Sequence, residues 1–451
     1  MSKVSATLLL AVIVVLLAPA RAQAIVVRVP CDAPLVFSDA ALNVVVLPYT
    51  QADLSDADPG VGQQLAALVE LEALLAIAKY RSVGVVQLVG NNCTPQRVLD
   101  QLVGKTEGAA ALLKPGRAMI VIWGRIFQSG RDLYLQSYLR FLRRDAGETI
   151  ALPVDGRSLI GHLTSQALAC PPRKISLADL GAIQKQFATS NLLRTTPDLR
   201  AAFVPIPDEG GPYAFWITEV RGDWVQLQPM ANQKPLPRGW VRARSENPQW
   251  SLRRRMPELA LLEGIGGYLA ARVSPVGAQA ALDGADAALS QYLEQWKAGA
   301  LLANDDAAGS GVAMAVAVPE QLRGFVALLR PEVSVAALTA AGGHFARAAA
   351  LVPFSGDARN LATITRVALT SRQHPGDTSP RPIIDELTAA VSTEPDNRGV
   401  LANLGVFYDL VLTPQPGAPM RWFLASRERE DVQRQRDALR EALQPAAQSR
   451  R

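Results

Sequence analysis

The 451-residue chain is predicted to be a multidomain α+β protein: an N-terminal mixed α/β sheet domain, then a small β-barrel, then a C-terminal α-helical domain. Three observations predict this. Between residues 25 and 170, β-branched runs alternate with helix-like stretches. Between 190 and 250, short strands follow one another across polar turns. From 251 to 420 the chain is rich in Ala and Leu and is punctuated by Pro, Gly and Asp. Apolar residues make up 49% of the chain, enough for a sizeable core, which excludes wholesale disorder.

The first 24 residues are expected to be an address. Lys3 supplies a positive start, Leu8 to Leu17 is an unbroken apolar run, and Ala20-Arg-Ala22 and Ala22-Gln-Ala24 are small-x-small cleavage sites. This is the three-part layout of a secretory signal peptide, and the apolar run is shorter than the roughly 20 residues a membrane span needs. The expected location is the periplasm or the exterior, with no stable membrane span after cleavage. Losing Lys3 and Arg21 lowers the net charge from +5 to +3. A nearly neutral chain of this length does not predict a nucleic-acid partner.

Within 25–170, Leu42 to Pro48 and Val83 to Val89 read as buried strands, and Ala118 to Phe127 as a third. A helix with Leu65, Leu68, Leu71 and Leu75 on one stripe separates the first two, and a helix from Thr94 to about Val103 precedes the third. Gln128 to Arg131 reads as a turn into an alternating strand to Arg143, Glu148 to Val154 as a further antiparallel strand, and Ser158 to Ala169 as a helix. The run LNVVVLPY (42–49), the helix after Gly60 and the hairpin ending in YLQSYLRF (134–141) resemble the N-terminal domain of TolB and related bacterial envelope assembly proteins. No β-propeller pattern follows.

After a linker helix at 171–189, residues 190–250 carry EVRGDWVQLQP and RGWVRA. These resemble the bacterial SH3-like domain, with Trp224 at the Trp of its "gdW" strand and Gly239-Trp240-Val241 at its closing "GWV". LRTTPD (193–198) stands where that family opens with "vRsgP", with departures at Leu193 and Thr195. The resemblance implies that Trp216, Trp224 or Trp240 presents an aromatic surface to a peptide or glycan. The plainer reading puts Trp224 and Trp240 in the barrel core, leaving Trp216 as the better surface candidate.

In the helical domain (251–420), Phe345-Ala-Arg-Ala-Ala-Ala-Leu-Val-Pro353 echoes Leu387-Thr-Ala-Ala-Val-Ser-Thr-Glu-Pro395. The continuation Asp396-Asn397, then Leu401-Ala-Asn-Leu-Gly405 and Tyr408, resembles a tetratricopeptide repeat. A generic helical hairpin satisfies the same pattern. Residues 421–451 read as a charged C-terminal helix and tail with a narrow apolar seam of Val432, Leu439 and Leu443.

No motif names a reaction. The chain lacks G-x-S-x-G, P-loop, G-x-G-x-x-G and H-E-x-x-H patterns, and His162, His344 and His374 stand apart from one another and from Cys. No catalytic residue, metal or cofactor is expected. In an oxidising compartment three Cys predict one bridge and one spare thiol. Cys93 falls at the C-terminal edge of the parallel strands, whereas Cys31 and Cys170 fall at the opposite edge, so the expected bridge is Cys31–Cys170. The function expected from these features is that of a non-enzymatic, exported cell-envelope protein acting as an interaction or scaffold factor on an envelope protein. The alternatives are a peptidoglycan-targeting adaptor working through the SH3-like domain and an envelope enzyme with a site built across domains.

Overall fold

The computed structural model describes, in whole or in large part, residues 25–30, 42–52, 69–77, 83–89, 118–143, 148–175, 193–205, 213–242, 256–300, 310–330, 333–373, 377–414 and 421–443. The chain is α+β: mixed sheets in the first half and a helical layer in the second. The main sheet has eight strands. Its central order is β1 (Ile25–Pro30), β4 (Val83–Val89), β2 (Leu42–Val46), β5 (Ala118–Ser129), β6 (Asp132–Arg143) and β10 (Arg173–Ile175). β3 (Thr50–Ala52) adds to β5, and β9 (Ala167–Ala169) adds to β6. Strands β1, β4, β2 and β5 run parallel, and β6 is antiparallel to β5. Their Val- and Ile-rich runs suit strands covered on both faces. Between β3 and β4 a helical stretch buries Val69, Glu72, Ala73, Ala76 and Ile77, spaced as one helix face. The leucines expected to form that stripe lie outside the described residues, as does the helix expected from Thr94.

Three expectations are corrected in this half, and one strand is added. Ile25–Pro30, unread in the sequence, is an edge strand. Ser158 to Ala169 is not a helix: it contains β8 (Arg157–Leu163) and β9. β7 (Glu148–Val154) is a strand but does not extend the main sheet; among the described residues it pairs with β8 alone. The linker helix at 171–189 is contradicted at Arg173–Ile175, which is β10, and Ser176 to Asn191 lie outside the described residues.

The β7–β8 hairpin turns at Asp155-Gly156, both at positive φ (45° and 75°), the backbone of a tight hairpin turn that suits an Asp-Gly pair. Along β8, Leu159, Gly161 and Leu163 are buried while Ser158 and Ile160 are exposed, a period of two that no helix has.

The helical layer comprises α1 (Glu258–Val273), α2 (Ala278–Ala300), α3 (Ser310–Leu328), α4 (Val335–Leu351), α5 (Gly356–Gln373), α6 (Arg381–Thr393), α7 (Arg398–Leu412) and α8 (Ser426–Leu443). Several connections carry their own signals. Ser334 Oγ accepts from Ala337 N at 3.1 Å and starts α4. Asn397 Oδ1 accepts from Gly399 N and Val400 N at 3.1 and 3.2 Å and starts α7. Pro353 and Pro395 sit in the α4–α5 and α6–α7 turns, and Phe345 and Leu387, each eight residues earlier, are both sealed at 0% exposure. The last helix begins at Ser426, because Arg421–Trp422 form a short strand on Asp377–Thr378. It docks through Val432 and Leu439, while Leu443 is exposed.

The β7–β8 hairpin lies against α5 and α7. Leu152, Val154, Leu159 and Leu163 are buried in the same apolar core as Leu361 and Ile364. A Cβ on Gly161 would meet Leu361 Cδ2 at 2.3 Å, so glycine permits this approach. Two fully buried amides then hold the outer edge of β8. Ile160 N donates to Asn403 Oδ1 at 2.8 Å, and Ile160 O accepts from Asn403 Nδ2 and, at 3.2 Å, from Asn360 Nδ2. Asn403 Nδ2 also donates to Asn360 Oδ1 at 2.9 Å. The polar backbone of an edge strand is thus satisfied by side chains that come more than 190 residues later.

Candidate functional site

The sequence-predicted tryptophans belong to a small open sheet of β11 (Tyr213–Arg221), β12 (Trp224–Ala231), β13 (Lys234–Pro235) and β14 (Gly239–Arg242). No closed barrel forms among the described residues. Trp240 is 3% exposed, bridges in backbone register to Arg194 and has the Arg221 guanidinium 5.1 Å from its ring. It is core. Trp224 is half-buried at the start of β12. Trp216 lies on β11, and its side chain is outside the described residues. The three are not brought together as one described surface.

Cys170 is a free, fully buried thiol; Cys31, its expected partner, lies outside the described residues. Cys170 sits in a seam between the main sheet and helices α1–α3. Its Sγ is 4.0 Å from Tyr292 Oη, which donates to Ala315 O at 2.8 Å. Tyr49 Oη and Ser137 Oγ are 3.1 Å apart, and Cys170 N donates to Ser137 O at 2.9 Å. Glu258, the first residue of α1, is 3% exposed and its Oε2 has no hydrogen-bond partner. Burial raises the pKa of Glu258, and burial with the Glu258 carboxyl beside it pushes the Cys170 thiol, Tyr49 and Tyr292 up as well. The seam therefore favours the neutral form of every one of these groups. A thiol held protonated is a poor nucleophile, so this arrangement disfavours covalent chemistry at Cys170.

A different region is open. A cleft of about 650 Å³ runs along α4, α5 and α6. Its α4 wall is Thr339, Gly342, Gly343 and Ala346, one face of the helix at three- and four-residue spacing. A Cβ on Gly342 or Gly343 would meet nothing closer than 3.6 Å. By contrast, Gly264 in α1 and Gly324 in α3 face Leu289 and the Phe345 ring at 2.6 and 2.4 Å. Among the described residues the first pair has no packing partner that requires glycine. On the opposite wall Arg366 pairs with Glu386 at 2.6 Å, and Thr363 Oγ1 donates to Glu386 Oε2 at 3.0 Å. Arg359 donates to Pro353 O at 2.8 Å at the end of the cleft, next to Phe354, which is 45% exposed.

On the other flank of α4, a smaller cleft of about 400 Å³ is edged by His344. Burial alone would raise the Glu320 pKa, but hydrogen bonds from His344 (2.6 Å) and Arg347 (3.1 and 3.2 Å) hold it at about 2. His344 is thus an interface residue of α3 and α4. His162 lies on β8 rather than on a helix, and His374 is outside the described residues.

Glu258, Asn360 and Asn403 escaped sequence reasoning because their partners are far away in the chain. Gly342-Gly343, adjacent glycines inside an Ala-rich helix, is the local sequence signal of the open cleft wall. Among the described residues no cluster of His, Cys, Asp or Glu is arranged to hold a metal ion, and no helix is long and apolar enough to cross a membrane. Comparison with protein-family models, with curated proteins and with solved structures finds no match for this chain.

Proposed function

We propose that the protein is an exported, non-enzymatic cell-envelope factor that docks a partner protein in the α4–α6 cleft. The observation that carries this reading is the pair Gly342-Gly343, which leaves helix backbone open along a cleft wall where no described residue packs so closely as to need glycine. Mid-helix glycine costs about 1 kcal/mol relative to alanine, and close approach of another chain is a physical return for that loss. The tetratricopeptide-like reading of residues 345–408 agrees with such a role, and the signal-like residues 1–24 supply the export. The peptidoglycan-adaptor alternative rests on Trp216 and Trp224, since a core Trp240 offers it no surface.

The test is affinity capture from an envelope extract with the mature chain, alongside Gly342→Leu and Ala346→Trp variants whose folding is checked by circular dichroism. A partner retained by the unaltered protein and lost with both folded variants supports the proposal. A partner held equally by all three removes the cleft as its site. Retention on purified cell-wall sacculi instead, abolished by Trp224→Ala, would favour the adaptor.

A further inference from the structure

The outer face of the β5–β6 hairpin, opposite the Cys170 seam, carries three successive cross-strand rungs: Trp123 with Tyr138, Arg125 with Gln136, and Phe127 with Tyr134. The rings of the first rung lie 5.7 Å apart and 19° from parallel; those of the third lie 5.6 Å apart and 20° from parallel. Between them the Arg125 guanidinium sits 4.7 Å from the centre of the Phe127 ring and donates to Gln136 Oε1 from Nε and a terminal nitrogen at 3.1 and 2.9 Å. Tyr138 Oη donates to the same oxygen at 2.9 Å, and Gln136 Nε2 donates to Cys170 O at 3.2 Å. The central rung is therefore fixed before any ligand arrives, which lowers the entropy cost of binding.

Further along this face Met119 and Val121 are sealed at 0% exposure. The cover ends at Trp123, which is half-buried like Phe127, Tyr134 and Tyr138, and Arg125 is exposed. Arg140, one rung beyond Tyr138, brings a second, half-buried guanidinium whose buried Nε has no hydrogen-bond partner. Among the described residues neither Arg125 nor Arg140 pairs with a carboxylate.

We propose that this face is a binding platform for an acidic glycan. A sugar ring offers flat C–H faces and hydroxylated edges. The aromatic rungs suit the faces and the exposed Arg125 guanidinium, held in place by the buried Gln136, suits the edges, at a spacing of roughly 7 Å per rung along the strands. A guanidinium fork held flat is matched to a carboxylate. Charge density decides between polyanions. A nucleic-acid strand carries a phosphate at every nucleotide and is held by a continuous basic groove. Among the described side chains this face carries three cations, Arg125, Arg140 and Lys174, which stands opposite Tyr134 on β10; three charges spread over the face match a sparsely charged saccharide instead. A protein hot spot centres on a desolvated pocket, whereas these rungs lie on a sheet face. The inference is independent of the α4–α6 cleft.

The test is calorimetric titration of the mature full chain with oligogalacturonate, hyaluronate oligomers, methyl-esterified oligogalacturonate and oligothymidylate. At least one acidic saccharide is expected to bind. Where it is oligogalacturonate, its ester should bind about tenfold more weakly, the loss of one charge-assisted pair. Arg125→Gln should weaken acidic binding by about tenfold and leave the neutral ester unaffected, and Tyr134→Leu should weaken both. Unchanged thermal midpoints would show that both variants fold. Failure of both acidic saccharides to bind, equal or tighter binding of oligothymidylate, or unaltered affinity in both folded variants overturns the proposal.

Discussion

The hairpins β5–β6 and β7–β8 follow one another in the chain, and both are antiparallel, but they solve the edge problem differently. β5–β6 is embedded in a sheet, flanked by β2 and β3 on one side and by β9 and β10 on the other. Among the described residues β7–β8 has no third strand, and Asn360 and Asn403 supply amides where a neighbour would stand. The difference teaches that a hairpin can leave its sheet when a helical layer presents buried carboxamides to its backbone. The two seams differ in chemistry as well. Beneath β5–β6 lie a carboxyl, a thiol and two phenols held neutral by burial. At the centre of the β7–β8 seam lie leucines and amides, and its buried carboxyl, Asp357, lies at the margin beside His162.

The largest way to break this comparison is Leu159→Ala. Leu159 is fully buried between β8 and the helices, and the truncation should cost about 3 kcal/mol, read from the urea midpoint. Asn403→Ala comes next, at about 2 kcal/mol, because it strips partners from both polar groups of Ile160. Amide exchange at Ile160 should accelerate while β5–β6 stays protected; unchanged exchange at Ile160 would mean that the amides do not hold the strand. On the other seam, Tyr292→Phe removes the bond to Ala315 O and should cost about 1 kcal/mol.

Glu258→Gln should have the smallest effect near neutrality, with the opposite sign. A carboxyl whose folded pKa is raised contributes its full stability below the ordinary carboxylate range, and that stability is lost as pH rises through the folded value. The glutamine cannot ionise, so the variant should lose less stability than the unaltered protein on titration from pH 5 to 9. Parallel stability curves across that range would remove Glu258 as the titrating group.

Several elements of this fold were legible because their signals are local. The runs at Leu42, Val83 and Ala118 are β-branched and continuous, and the turn after Gln128 announces its hairpin. Asn397 stands where a helix cap should stand, and Val432 and Leu439 form the seam they imply. The β8 strand was misread although Asp155-Gly156 is a strong hairpin signal, because SLIGHL is short and also fits one helix face. What no local reading reaches is the site chemistry. Asn403 looks like a polar residue in a repeat until it meets Ile160. Glu258 looks like a helix-start carboxylate, favoured by the helix dipole, until a sheet encloses it. The rungs on β5–β6 were half visible: alternation separated Tyr134, Gln136 and Tyr138 from the leucines, but not the register that sets them opposite Phe127, Arg125 and Trp123.

The amide grip on Ile160 also orders events in time. A chain emerges from its N-terminus, so β7 and β8 are complete long before Asn360 and Asn403 exist. The hairpin can close on its own through its Asp-Gly turn, within microseconds by the usual scale for such units. Its leucine face then waits, wet, until α5 and α7 are made. Closing a loop of that span is among the slower steps available to the chain, and the waiting face is the natural target of a holding chaperone. Docking of this hairpin is therefore the expected last act of folding, and truncation before α7 should leave a protein whose first sheet is formed and whose second hairpin is sticky.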